Sequence, residues 1–330
     1  MKIAIPNYPG TDSFVDNVAH TLRGMSHEVV TPAHLVDSAR GAPARLLKEV
    51  RARAFPDRWT DAERWVTGLA RQTRLDLVIC LTQGLRQEVL EALRAAGVGK
   101  LVAWWGDPPA NMRGLGLMAP GWDKIFIKDA AAVRKFQTVG LDAELLNEAM
   151  NPDWHRRVFT DIGEDVAVAG SYYGYRQYIV GRLLDRGVPM ALYGPRPPRW
   201  SSPAIVQAHR GRYVTRLEKS AVFGSALACL NSTTLAEGDC LNCRAFEIAG
   251  ACGLQLIEDK PAVGGCFEPG VEVLTFSSIE EIQAHLERAR KEPAWAMTVR
   301  EAGWRRANAE HTYAQRLGHI FRRLGLASIN

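Results

Sequence analysis

An alternation of short apolar runs with helical stretches, repeated in both halves of the chain, constrains the fold most strongly. In the first half, apolar runs typical of buried parallel strands stand at residues 75–81, 101–105 and 124–127. Helical patterns lie between them, and Gly97 and Gly140 stand where two of these helices should end. Short strands that alternate with helices predict a doubly wound α/β domain with a parallel sheet.

The N-terminus begins in the same way. A strand is predicted at residues 2–6, followed by a glycine-containing loop at 7–12 and an amphipathic helix. The loop lacks a G-x-G-x-x-G pattern, so it gives little support to a dinucleotide cofactor. A charged helix is predicted at about 43–54, and Thr60 with Glu63 predicts the start of another helix.

The second half repeats this build after a break. Periodicity lapses around residues 147–153, where we place a linker, and strand-like runs then recur at 165–169, 190–193, 227–230 and 254–257. We therefore predict an N-terminal Rossmann-like domain at 1–150 and a C-terminal one at 151–312, followed by a terminal helix at 313–330.

Length and composition agree with two domains. The chain has 330 residues, of which 47% are hydrophobic and 23% charged, as in soluble globular proteins. Its net charge of +5 permits anionic ligands such as diphosphates or nucleic acid without requiring them. There is no signal-peptide pattern, and no apolar run approaches the roughly 18 residues of a membrane span. We predict a cytoplasmic protein.

Cys240 and Cys243 form a C-x-x-C pair, which can be half of a zinc site or a redox pair. A second such pair is missing, and no histidine stands nearby with ligand spacing. We therefore predict free thiols and no bound metal, as expected for a cytoplasmic chain.

Residues 239–259 carry the most specific local pattern: a polar loop, a short helix, a glycine stop and a buried strand. Arg244 and Glu247 are three positions apart, so they share one face of the helix. Gly253 stands where a helix C-terminal glycine belongs. The free N–H groups of the first helical turn can face an anion; Arg244 adds charge and Glu247 offers two acceptor oxygens.

Residues 244–253, together with the loop at 267–272, resemble the donor-site segment of glycosyltransferases with the GT-B fold, and most of all the CgeB-like, spore-maturation type family. Many GT-B enzymes carry two acidic residues with seven between them. Asp239 and Glu247 fit that spacing (247 − 239 = 8), although the first is usually Glu. The resemblance implies that Glu247 binds the nucleotide ribose and that Asp239 lies near the sugar. The alternative is a Glu247 that pairs with Arg244 or is solvated.

Two further groups of residues stand where predicted strands of the second domain end. Gly170, Ser171 and Arg176 follow its first strand, where a glycine admits a phosphate and a cation neutralises it. The family resemblance points the same way, although Arg176 can also be a solvated helix residue. Tyr193 and Gly194 end another strand at the same rim. By analogy with GT-B enzymes they hold the nucleobase, or else they form an ordinary strand-to-loop turn.

Asn242 and Arg244 complete the predicted donor site, at the start of the helix. In the first domain, Asp107 follows a strand end and is our candidate general base for an acceptor hydroxyl. The alternative is a Gly-Asp-Pro-Pro turn in which Asp107 hydrogen-bonds its own backbone. The loop at 7–12 is expected on the acceptor side.

The resemblance implies an α/β protein of the GT-B fold: two Rossmann-like domains face each other across a cleft, and the C-terminal helix crosses back to the first. It implies metal-independent transfer of a sugar from a nucleotide-diphospho-sugar to an acceptor hydroxyl. A UDP-sugar is the favoured donor, and no further cofactor is expected. The acceptor stays open among a glycan, a protein, a small molecule and DNA.

Two alternatives stay open. The pI near 8.9 favours a DNA-base glucosyltransferase slightly, but the basic residues are scattered and form no stripe interleaved with aromatics. The other alternative is a non-catalytic protein that binds nucleotide sugars.

Overall fold

The structure is a computed structural model, and it describes residues 1–33, 50, 59–112, 116–158 and 161–326. Apart from Val50, the helix predicted at 43–54 lies outside the described residues. The chain divides into two compact units. The first comprises Met1–Gly106, Met112–Leu146 and Ile320–Asn330, and the second comprises Asp107–Asn111 and Asn147–His319. The predicted domain limits at 150 and 312 stay a prediction.

The first unit is built on a parallel sheet with the strand order β2-β1-β3-β4-β5-β6. Its strands are β1 (Lys2–Ala4), β2 (Glu28–Val30), β3 (Leu77–Leu81), β4 (Lys100–Trp105), β5 (Lys124–Ile127) and β6 (Ala143–Leu145). The sequence predicted β1, β3, β4 and β5. It missed β2 and β6, which are short and partly exposed and therefore carry no apolar run.

Helices cover the sheet of the first unit: Phe14–Gly24, Asp61–Gln72, Gln87–Ala95 and Ala130–Thr138. The capping box predicted at Thr60 is present. The Thr60 hydroxyl accepts from the Glu63 N–H at 3.2 Å, and the Glu63 carboxylate accepts from the Thr60 N–H at 2.6 Å. At the far end of the chain, the Phe321 ring packs edge-on against His27, with 5.3 Å between ring centroids. The end of the last helix therefore belongs to the core of this unit.

The second unit has its own parallel sheet, with the order β11-β10-β9-β7-β8. Its strands are β7 (Val166–Ala169), β8 (Met190–Tyr193), β9 (Ala228–Asn231), β10 (Gln255–Glu258) and β11 (Leu274–Phe276). All five point the same way, so the loops after their carboxyl ends lie at one edge. In open α/β sheets that edge binds ligands.

The helices of the second unit are Gly174–Asp185, Pro203–Ala208, Arg216–Ser225, Cys243–Gly250, Pro261–Gly264, Ile279–Lys291, Pro293–Glu310 and the start of Tyr313–Arg323, and short 3₁₀ turns lie at Pro109–Asn111 and Leu235–Glu237. The side chain of Arg300 is 2% exposed and donates to the Ala226 and Leu227 carbonyls. It thereby ties helix Pro293–Glu310 to the start of β9.

One prediction about this unit was wrong in detail. Helix Cys243–Gly250 ends through Cys252, which takes the left-handed conformation at φ 60°, and not through Gly253. Gly253 is needed for a different reason: a Cβ atom there would lie 3.0 Å from the Phe223 carbonyl oxygen. Separately, none of the helices in the described part of the chain is long and apolar enough to cross a membrane.

Candidate functional site

Two glycines form a bare patch of backbone where β7 and β8 end. Gly170 and Gly194 adopt φ values of +135° and +133°, a region that residues with a Cβ atom rarely enter. The Gly170 N–H donates to the Tyr193 carbonyl at 2.9 Å. A Cβ atom at Gly194 would lie 2.5 Å from the Gly170 carbonyl oxygen, so only glycine fits there. The sequence prediction therefore placed these two residues correctly at one rim.

Two arginines converge on this patch from different helices. Arg176 stands in the first turn of helix Gly174–Asp185, and Arg244 in the first turn of helix Cys243–Gly250. A Cβ atom at Gly170 would lie 2.9 Å from Nη2 of Arg244 and 3.1 Å from Nη1 of Arg176. Two cations and two helix N-termini thus meet at one glycine, an arrangement that attracts an anion.

Arg176 is fixed in place by the backbone around it. Its Nε donates to the Ser232 hydroxyl at 3.0 Å, and Nη1 donates to the Ser171 carbonyl at 2.8 Å. Its guanidinium lies 4.5 Å from the centre of the Tyr173 ring. Burial, with a further contribution from the Arg244 charge, lowers the pKa of Arg176 to about 10. Arg176 therefore stays charged at neutral pH although its side chain is buried, and it is not the solvated helix residue of the alternative reading.

Arg244 is half-buried and incompletely satisfied. Its Nε is buried and has no hydrogen-bond partner among the residues that the structure describes. Within the same residues, neither Arg244 nor Arg176 forms an ion pair with a carboxylate. Two adjacent guanidinium groups that form no direct ion pair make a site suited to a multivalent anion, which can accept from both of them.

Glu247 lies one turn further along the helix and is buried, at 3% exposure. Its Oε2 is 2.8 Å from Nζ of Lys219, and its Oε1 is 3.6 Å from Nε2 of His155. The alternative in which Glu247 pairs with Arg244 or is solvated is therefore wrong. The family role of Glu247 at the ribose stays a prediction.

Asn242 shapes the start of the same helix. Its Oδ1 accepts from the Ala245 N–H at 3.2 Å, which makes it the helix N-cap. Its Nδ2 also donates to Oδ1 of Asn231, at the end of β9, over 3.0 Å. Asn242 thus orients the helical turn that carries Arg244, while a direct contact with a ligand stays a prediction.

The two candidate aspartates are exposed. Asp239 follows the turn Leu235–Glu237, and Asp107 follows β4. Asp107 belongs to the second unit together with the turn Pro109–Asn111, which packs beside Leu235–Glu237. The segment that carries Asp107 therefore borders the loop that leads to Asp239, and the roles of both carboxylates stay predictions.

Sequence reasoning missed three residues of this site. Ser232 anchors Arg176, and it could have been found because it follows a predicted strand at the ligand-binding edge. Lys219 and His155 surround Glu247, but nothing in the sequence indicates that a helical lysine turns inward to pair with it.

Comparisons with known proteins bear on the class of protein and on the fold. Residues 176–322 match the family model described as glycosyl transferase-like, and that stretch contains both arginines, Asp239 and Glu247. No curated protein matches the sequence.

Solved structures share the fold over nearly the whole chain. HepE from Anabaena in complex with UDP superposes with a TM-score of 0.67 at 12% identity, covering 98% of this chain and 100% of that one. Sucrose-phosphate synthase from Thermosynechococcus elongatus gives a TM-score of 0.66 at 13% identity, covering 98% and 99%. The lipopolysaccharide outer core galactosyltransferase WaaB in its apo form gives 0.58 at 14% identity, covering 98% and 100%.

The fold is therefore GT-B, as the sequence predicted. With the family match over its C-terminal part, the chain is a glycosyltransferase.

Proposed function

We propose that the chain transfers a hexosyl group from a nucleotide-diphospho-sugar to an acceptor hydroxyl, and that the donor is a UDP-sugar. The observation that carries this proposal is the convergence of Arg176 and Arg244 on Gly170. Its charge suits a diphosphate, and structures of HepE, which has the same fold, contain UDP or UDP-glucose. We also propose the CgeB-like family and a cytoplasmic location, both drawn from the sequence.

In this proposal the diphosphate lies over Gly170 and Gly194, with Ser171 beside it. Arg176 and Arg244 donate to its oxygens together with the N–H groups of the first turn after Asn242. Tyr193 borders the nucleobase, Glu247 accepts from the ribose hydroxyls, and Asp239 faces the sugar. For Glu247 to do so, the ribose must share the carboxylate with Lys219, 2.8 Å away.

The chemical step needs a base and a stabilised leaving group. Asp107 takes the proton of the acceptor hydroxyl, whose oxygen then forms a bond to the anomeric carbon. The bond from that carbon to the diphosphate breaks, and UDP departs with the electron pair. Arg176 and Arg244 stabilise the charge that develops on its β-phosphate, so the proposal needs no metal ion. The acceptor itself stays open.

A nucleotide-sugar panel tests this function. We expect a UDP-sugar to raise the unfolding temperature by several degrees at saturation, and GDP-, dTDP- and CMP-sugars to raise it less. Release of UDP should then depend on an acceptor and should fall strongly in Asp107→Asn. If no nucleotide sugar stabilises the chain, the proposal is wrong. Stabilisation without turnover over a broad acceptor panel supports the non-catalytic alternative instead.

A further inference from the structure

A second cavity lies at the same edge of the second sheet, beside the anion site. Its volume is about 430 Å³, and it opens beyond the ends of β9, β10 and β11. Its walls include Glu258, Asp259 and Lys260 from the end of β10, together with Tyr175 and Ser277. This volume falls within the ~300–1,000 Å³ typical of ligand pockets.

The floor of the cavity is a polar cluster fixed in one geometry. The Glu258 carboxylate accepts from the Thr233 N–H at 3.1 Å and from its hydroxyl at 2.6 Å. Nζ of Lys260 lies 3.3 Å from the same carboxylate oxygen, and the Tyr175 hydroxyl is a hydrogen-bonding neighbour of Glu258. Because the protein already holds these groups in place, a ligand would meet a preorganised set of donors and acceptors.

The rim offers a free acceptor and apolar surface. Asp259 is exposed, and no hydrogen bond or ion pair engages its carboxylate among the residues that the structure describes. Tyr175 is 37% exposed and Leu235 is 81% exposed, so both present apolar surface at the opening. Carboxylates that accept from hydroxyl groups, next to an aromatic face, are the groups that bind a sugar ring.

Charge distinguishes this cavity from the arginine site. Its lining holds two carboxylates, Glu258 and Asp259, one ammonium group, Lys260, and no arginine. That balance disfavours a phosphate, and the ammonium beside Glu258 disfavours a metal cation. The remaining class is a neutral ligand rich in hydroxyl groups.

We propose that this cavity binds a neutral sugar ring through Glu258, Asp259 and Lys260, with Tyr175 against one face. The ring can come from the hexosyl group of the donor or from an acceptor glycan, since both present the same chemistry. If the ring is the hexosyl group of the donor, the inference rests on the proposed function. If the ring belongs to an acceptor glycan, it can bind without UDP. The turn Pro109–Asn111, which follows Asp107, packs beside Leu235–Glu237 at the rim, so a sugar here would lie near the candidate base.

Two exposed positions allow a test with little risk to folding. Asp259→Asn removes the free carboxylate, and Ser277→Trp fills the cavity. Asp161→Asn is the matched control, because Asp161 is also exposed and lies outside the cavity. In the donor arm, calorimetry gives the affinities for UDP and UDP-glucose in each variant. In the acceptor arm, saturation-transfer NMR records the binding of methyl glucoside, methyl galactoside and methyl N-acetylglucosaminide, with and without UDP.

For a donor sugar, we expect the ratio of UDP-glucose affinity to UDP affinity to fall about fivefold in Asp259→Asn and further in Ser277→Trp. UDP affinity itself should not change, and Asp161→Asn should match the wild type. For an acceptor sugar, a methyl glycoside should bind the wild type and lose its signal in Ser277→Trp. The inference is overturned if no glycoside binds and the affinity ratio is the same in all variants. Failure of UDP to bind overturns the proposed function instead, and the glycoside arm still tests the cavity.

Discussion

Arg176 and Arg244 approach Gly170 from two separate helices, and a Cβ atom there would lie about 3 Å from both guanidinium groups. Burial makes the charged form of Arg176 costly, and the adjacent Arg244 charge adds to this cost. Backbone carbonyls and the Ser232 hydroxyl compensate part of it. The remaining positive potential is available to a ligand, so the site is preorganised for an anion.

Replacement of Gly170 tests this geometry. Gly170→Ala must place a Cβ atom among the arginine tips at φ +135°. We expect a loss of about 1–3 kcal/mol in the free energy of unfolding and weaker UDP binding, measured by urea unfolding and calorimetry. Gly187→Ala is the control, because Gly187 has φ +74° with open space around it. It should lower stability without changing UDP affinity, and an equal loss of UDP affinity in both variants would contradict the account.

The Lys219–Glu247 pair should behave as a buried ion pair. The two side chains are 8% and 4% exposed and lie 2.8 Å apart. Glu247→Gln removes the carboxylate charge 2.8 Å from the buried ammonium group, so we expect a loss of about 3–5 kcal/mol in the free energy of unfolding. Urea unfolding of the single variants and of Lys219→Met/Glu247→Gln gives the coupling between them.

The double variant should recover most of the loss of Glu247→Gln, because the buried ammonium group is removed as well. If the losses of the single variants simply add, the two side chains are not coupled and the pair does not hold the helix in place.

His311 should make the second unit sensitive to acid. Burial lowers the pKa of His311 from 6.5 to about 4, while a hydrogen bond to the Cys266 carbonyl acts in the opposite direction. Its Nδ1 lies 2.9 Å from Nη2 of Arg316, which is a hydrogen-bond donor. A proton on Nδ1 would therefore point at another N–H group, which is unfavourable. The unfolded chain thus binds this proton more readily than the folded one. Stability is lost as the pH falls from about 6.5 towards 4, by about 3 kcal/mol in total.

Unfolding temperatures measured from pH 7 to pH 5 check this prediction. His311→Gln should be less stable than the wild type at pH 7 and should lose less stability over that range. Parallel pH profiles in the two proteins would show that His311 is not the titrating group.

The sequence predicted the strands and the ligand-binding edge well because both depend on simple rules. The observed bounds of β5 and β8 equal those predicted, since each is a compact apolar run. Gly170, Gly194 and Arg244 come together because they follow the ends of parallel strands or begin the next helix.

Features that depend on side-chain direction could not be predicted. A lysine at position 219 is compatible with either face of its helix, so the sequence does not indicate which way the side chain points. In the folded structure it points towards Glu247. Helix Pro203–Ala208 could not be predicted from the sequence, because it is short and polar sequence surrounds it. The left-handed residue at the helix end is Cys252. The glycine that follows it, Gly253, is needed instead where the chain comes close to Phe223.

The central claim is that a diphosphate binds between Arg176 and Arg244, and calorimetry of UDP binding to Arg244→Met tests it most directly. Arg244 is half-buried with an unsatisfied Nε, so this variant should fold, and Arg305→Met, 62% exposed, is the control. We predict that Arg244→Met weakens UDP binding about 10- to 100-fold, while Arg305→Met leaves it unchanged. Equal UDP affinity in the wild type and Arg244→Met would contradict the account.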